Sequence, residues 1–303
     1  MNIPLPIVDH PAPEVALSHL DTLWFQVAGT VCNFTCHHCF ISCSPHNHSF
    51  EFLSLETVER YLRESVSLGV KEYYFTGGEP FLNPDTAAIL EQTLRFGPAT
   101  VLTNGTVLKR DWLQRLRTAE DNSLYSLEFR VSLDGFTAEQ NDPIRGEGTF
   151  QRTVHGILKL VESGFLPIIT VTKTKEDQEE SDLVKGFVNM LKDIGYDRPR
   201  LKILPTLRIG AETERQRGYH KEERVTPEMM ADYDPALLIC SNSRIVSNRG
   251  VHTCPILLEA PDAILGDSLR ESLRPYPLRH HACFTCYQYG ALCSNTSSEW
   301  EHI

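Results

Sequence analysis

Cys32-Asn33-Phe34-Thr35-Cys36-His37-His38-Cys39-Phe40 sets three thiols at spacings of four and three. Shortly before it runs Thr22-Leu23-Trp24-Phe25-Gln26-Val27-Ala28, an apolar stretch that reads as a strand. The thiols therefore sit in a loop beyond the C-terminal end of that strand, and their density points to a metal centre. The loop alone leaves two arrangements open. Cys43, His37 or His38 completes a closed zinc or iron–sulfur site. Alternatively, three thiolates hold an iron–sulfur cluster and one iron stays open to a small molecule.

The chain has 303 residues, enough for one large domain or for about 200 residues with a smaller partner. With 29 basic and 40 acidic residues its formal net charge is −11, which argues against broad binding to nucleic acid phosphate or to an anionic membrane. No apolar run approaches the ~20 residues of a membrane span. Met1-Asn2-Ile3-Pro4-Leu5-Pro6 lacks the basic start and apolar core of a signal peptide, so a cytoplasmic location is expected. Thiols stay reduced there, and nine cysteines then indicate metal rather than disulfides. They fall in two groups, 32, 36, 39 and 43, then 240, 254, 283, 286 and 293, which predicts two metal sites.

Strands and helices alternate between the two groups. Ser54 is a good N-cap for a helix carrying Leu55, Val58, Leu62 and Val66. Strands follow at 70–75, 98–102, 127–133, 167–172 and 200–204, with helices from Pro84 toward Gly97, over about 110–118, over 150–163 and over 181–194. Six strand–helix alternations imply parallel βαβ units, too few for an eight-stranded barrel. The expectation is α/β, a partial (β/α)6 TIM-like barrel at 22–210. An extended lead-in (1–21) precedes it; a polar, solvated linker (211–236) and a small cysteine-rich domain (237–303) follow.

Barrel sites lie at the C-terminal ends of strands. Those ends read Thr76-Gly77-Gly78-Glu79-Pro80, Thr103-Asn104-Gly105 and Ser132-Leu133-Asp134-Gly135, followed by Asn141-Asp142-Pro143-Ile144-Arg145-Gly146-Glu147-Gly148-Thr149-Phe150. Paired glycines let backbone approach a ligand closely, and an arginine binds carboxylate bidentately. Together with the C-x3-C-x2-C loop and its trailing Phe40, these segments resemble the radical S-adenosylmethionine superfamily, whose fold is the open partial barrel. The resemblance implies that Cys32, Cys36 and Cys39 ligate a [4Fe–4S] cluster whose fourth iron binds S-adenosylmethionine. It further implies that Gly77, Gly78 and Glu79 meet the methionine ammonium, that Ser132 and Asp134 lie near the ribose with Asn104 nearby, and that Arg145 meets the carboxylate. Val171, with Ile169 and Thr170, would flank the adenine.

Near the end, Cys240 and Cys254 precede Cys283-Phe284-Thr285-Cys286 and Cys293, and Arg244 to Cys254 reads as a hairpin turning at Asn248-Arg249-Gly250. His280 and His281 read as exposed. A four-thiolate zinc knuckle remains an alternative. The pattern resembles the shortened Twitch relative of the SPASM domain, which implies one auxiliary [4Fe–4S] cluster on Cys240, Cys254, Cys283 and Cys286, with Cys293 competing for a place. A fully ligated cluster suits an electron acceptor, so net oxidation of a substrate is expected. Modification of a peptide is the alternative, ranked lower because the 21 residues before the first strand are few for a leader-binding domain. A reductant such as flavodoxin or ferredoxin is the implied partner.

Overall fold

A computed structural model describes residues 5, 7, 11–174 and 179–290. The strands are β1 (Glu14–Val15), β2 (Thr22–Gln26), β3 (Glu72–Thr76), β4 (Ala99–Thr103), β5 (Leu127–Ser132), β6 (Ile168–Lys173), β7 (Arg200–Pro205), β8 (Ser243–Ser247), β9 (Gly250–His252), β10 (Ile264–Gly266) and β11 (Tyr276–Pro277). The helices are α1 (Leu55–Val66), α2 (Thr86–Thr93), α3 (Arg110–Asp121), α4 (Ala138–Arg145), α5 (Thr149–Glu162), α6 (Glu180–Asp193), α7 (Glu212–Arg215) and α8 (Ala282–Tyr289).

Strands β2 to β7 pair in chain order, every pair parallel, and form the six-stranded partial barrel. One face of each strand meets the helices. Leu23, Phe25, Tyr73, Phe75, Val101, Phe129, Val131, Ile169 and Val171 lie there in one continuous core. Fully burying each of the larger ones contributes roughly 1.5–3 kcal/mol. The other face is polar in β5 and β6. Arg130 is 1% exposed and its Nε donates to Thr170 Oγ1 at 3.4 Å. In β2 and β3 that same face carries the buried, stacked rings of Trp24 and Tyr74. The helix at 54 begins as read, with Ser54 Oγ accepting from the Thr57 amide at 3.2 Å.

The sheet does not stop at the barrel. The hairpin forms as read, with Val246 opposite Val251, but β8 also pairs in parallel with β2, Thr22 opposite Ser243 to Phe25 opposite Val246. The nine-stranded order is β10-β9-β8-β2-β3-β4-β5-β6-β7. The lead-in contributes β1, which pairs with β11, so chain before the barrel braces the cysteine-rich end. Helix α4, which contains Pro143, was not expected.

The segment after β7 is less solvated than its composition suggests. Ile209 and Val225 are buried and Glu212 is fully enclosed, bonded by Arg215. The Ala211 amide donates to the Cys39 carbonyl at 3.0 Å. Gly210 makes this approach possible, since a Cβ there would sit 2.4 Å from the Phe40 carbonyl oxygen. Among the described residues no helix is long and apolar enough to cross a membrane.

Candidate active site

The cysteine loop leaves the end of β2 and is seated on the β3 end. Gly78 and Glu79 donate their amides to the carbonyls of Gly29 and Val31, both at 3.0 Å. A Cβ on Gly78 would lie 2.0 Å from the Val31 oxygen, and one on Gly77 would strike Ala28. The two glycines therefore serve loop-to-loop contact, and these amides are occupied by backbone.

Glu79 is fully buried. Its carboxylate accepts from the Phe81 amide at 3.1 Å, from Thr103 Oγ1 at 2.7 Å and from the Asn104 amide at 2.7 Å, which ties the ends of β3 and β4 together. Burial pushes its pKa up to about 7 against the pull of those three donors. Asn104 continues toward the loop: its Nδ2 donates to Asn33 Oδ1 at 2.8 Å and lies 3.9 Å from Cys32 Sγ.

Asp134 anchors the other side. Its side chain is fully buried, with Oδ2 at 2.6 Å from Arg145 Nε and 2.8 Å from His38 Nε2, while Oδ1 accepts from the Thr172 amide at 2.8 Å. Burial alone would raise its pKa, but Arg145 and His38 hold it well below the usual carboxylate range. One carboxylate thus joins the cysteine loop, the α4 end, β5 and the β6 end. His37 adds an amide bond to the Ile144 carbonyl at 2.8 Å. His38 was not singled out as Asp134's partner from sequence, and nothing in the local pattern marks it.

Cys32 and Cys36 thiols are pushed up to about 12 by burial, and Arg145 opposes this at Cys36. Cys43 stands behind Cys39: its thiol hydrogen-bonds Cys39, its amide donates to Cys39 Sγ at 3.3 Å, and these donors pull the Cys39 thiol pKa down. Among the described residues no three His, Cys, Asp or Glu side chains converge as a single ion requires. Three thiols with no carboxylate on the same loop suit an iron–sulfur cluster, whose iron would supply the charge that stabilises buried thiolates.

Ser132 ends β5 opposite Thr170. Val171 and Ile169 are fully buried in the helix-side core, so of the three β6 candidates only Thr170 lies on the face that carries Arg130. Arg208 pairs with Glu223 at 2.7 Å.

A second group of cysteines flanks the β8–β9 hairpin. Cys240 sits in a short turn, Cys254 follows β9, and Cys283 and Cys286 share one face of α8. All four line one small pocket walled by Ile239, Ile256, Leu257 and Leu278. Burial pushes the Cys240 thiol up to about 11. Cys293 lies outside the described residues. His280 is not exposed as expected: it is 2% exposed, with Nε2 at 3.0 Å from Asp262, and His281 Nδ1 bonds the Glu223 carbonyl at 2.8 Å.

An open parallel barrel carrying three thiols beyond its first strand defines a class of enzyme that binds a cluster at the barrel mouth. The chain matches the model of the Radical SAM superfamily over residues 27–187 and belongs to that family. It is therefore an enzyme family member whose cofactors are a [4Fe–4S] cluster and S-adenosylmethionine. It is 33% identical over 174 residues, 57% of this chain and 47% of the relative, to the AdoMet-dependent heme synthase of Methanosarcina barkeri. It is 28% identical over 169 residues, 54% of this chain and 35% of the relative, to the antilisterial bacteriocin subtilosin biosynthesis protein AlbA of Bacillus subtilis. The chain spans half or less of the length of these curated relatives. Among solved structures it resembles SuiB of Streptococcus suis bound to S-adenosylmethionine, with TM-score 0.61 and 18% identity over 81% of this chain and 63% of that one.

Proposed function

We propose that the chain is a radical S-adenosylmethionine oxidoreductase in which a second, fully ligated cluster receives an electron. The observation that carries this reading is the pocket where, among the described residues, Cys240, Cys254, Cys283 and Cys286, brought from three segments, present four sulfurs and no carboxylate or histidine. Held at the barrel mouth by Cys32, Cys36 and Cys39, the first cluster with S-adenosylmethionine would supply the radical chemistry that takes a hydrogen atom from substrate. Net oxidation then needs one electron and one proton to leave the substrate radical, and four thiolates leave no iron open for substrate. Cys32, Cys36 and Cys39 hold the first cluster. Ser132, Asn104 and Arg145 face the nucleotide, and Asp134 fixes the loop that presents it. Flavodoxin or ferredoxin supplies the initial electron in a reducing cytoplasm.

Peptide modification is the second reading, favoured by the likeness to the bacteriocin biosynthesis protein. Anaerobic reconstitution tests the main proposal. About eight irons with matching sulfide, and 5′-deoxyadenosine on reduction with S-adenosylmethionine, are expected for two clusters. Zinc without sulfide at the second centre would end it.

A further inference from the structure

Arg244 is a charge buried without a counter-charge. It is fully enclosed, and its guanidinium donates only to backbone carbonyls: Cys240 at 2.8 Å, Ser243 at 2.7 Å, Ser272 at 3.0 Å and Arg274 at 3.0 Å. Among the described residues no carboxylate forms an ion pair with it. A buried, unpaired cation is costly, and proteins pair such groups or bring them against a bound ion. The guanidinium reaches the cysteine pocket through Cys240, whose carbonyl it binds and whose side chain lines that pocket. A second group on the pocket wall is also unsatisfied. Thr253 is fully buried, lines the pocket beside Cys254, and among the described residues its Oγ1 has no hydrogen-bond partner.

We infer that Arg244 is the built-in counter-charge of the C-terminal cluster, assisted by the Thr253 hydroxyl, and that the pair raises its reduction potential so that it accepts an electron. The inference rests on the reading that the four C-terminal cysteines hold a cluster. Four thiolates on a [4Fe–4S] core carry a net charge of ~−2 before reduction, and each added electron makes it more negative. A fixed positive charge favours the reduced form, as does a hydrogen bond to a sulfur. The guanidinium is held by four carbonyls and needs no rearrangement when the electron arrives. Arg244 is thus a positioning residue for charge, with no contact to substrate.

The test uses the full chain with Cys32, Cys36 and Cys39 replaced by alanine, so that only the C-terminal cluster remains, followed by potentiometric titration monitored by EPR. About four irons per chain are expected in this background. Arg244→Gln should shift the reduction equilibrium at least tenfold toward the oxidised form, about 59 mV for a one-electron couple. Arg244→Lys, which keeps the charge, should stay within threefold of the parent. Thr253→Val should shift the equilibrium the same way by a smaller factor, and Thr253→Ser should restore it. A purely structural arginine would give equal potentials in all variants, or equal shifts in the Gln and Lys forms, and either result overturns the inference. If Arg244→Gln retains no iron, the Thr253 pair decides alone: an unmoved potential in Thr253→Val refutes the claim. A background chain without iron or sulfide refutes the cluster reading itself, and the inference with it.

Discussion

Cys32, Cys36 and Cys39 come from a single loop fastened by charged and polar side chains, whereas Cys240, Cys254, Cys283 and Cys286 are gathered from three segments into an apolar pocket. Around the first group stand Asp134, Arg145, His38, Asn104 and Glu79, with several polar atoms bonded to one another. Around the second the wall is Ile239, Ile256, Leu257 and Leu278, with one guanidinium behind it. On the proposed function the difference would match two tasks. A centre that admits a charged cofactor needs polar groups at hand. A centre that only stores an electron is served by closure and a fixed charge.

The contrast breaks most visibly at Asp134. Asp134→Ala leaves Arg145 buried without its partner, which should cost about 3–5 kcal/mol. Iron should fall from about eight to about four per chain as the loop loosens and the C-terminal centre survives. Denaturant unfolding and iron assay check both; equal loss from the two centres would mean that they are not held independently. Glu79 gives the next effect. Its folded pKa, about 7, lies above its ordinary 4.5, so its contribution is fully present below 4.5 and is lost as pH rises through 7. The protein without cofactors should lose up to roughly 3 kcal/mol of stability across that window. Thermal melts at stepped pH should show the slope, and Glu79→Gln should flatten it. Gly78→Ala should cost about 1–3 kcal/mol because the added methyl meets backbone rather than a movable side chain. Its signature is iron loss from the first centre, read by EPR of the reduced protein. Asn104→Ala should cost about 1 kcal/mol in unfolding midpoint and leave the second centre untouched.

Much of this was legible because it is local. The C-x3-C-x2-C spacing, the paired glycines, the Ser54 cap and the Asn248-Arg249-Gly250 turn are written within a few residues. The six strands were found because their helix-facing sides are strongly apolar. Part of what was missed depends on residues far apart in sequence. His38 meets Asp134 only because the loop folds back over the β5 end. Helix α4 hid behind Pro143, which argues against helix in sequence. Val171 was chosen from a run of three consecutive β6 residues, and strand alternation puts it on the helix side. Arg244 reads as an ordinary polar residue in a hairpin, and only the fold shows that four carbonyls enclose it.

The parallel pairing of β8 with β2 has a mechanical consequence. The strand that launches the first cysteine loop shares its ladder with the strand that follows Cys240. The two halves are therefore spliced along one edge, and neither can fray without exposing unpaired amides of the other. Hydrogen exchange at Leu23 to Phe25 and at Arg244 to Val246 should report a single opening event.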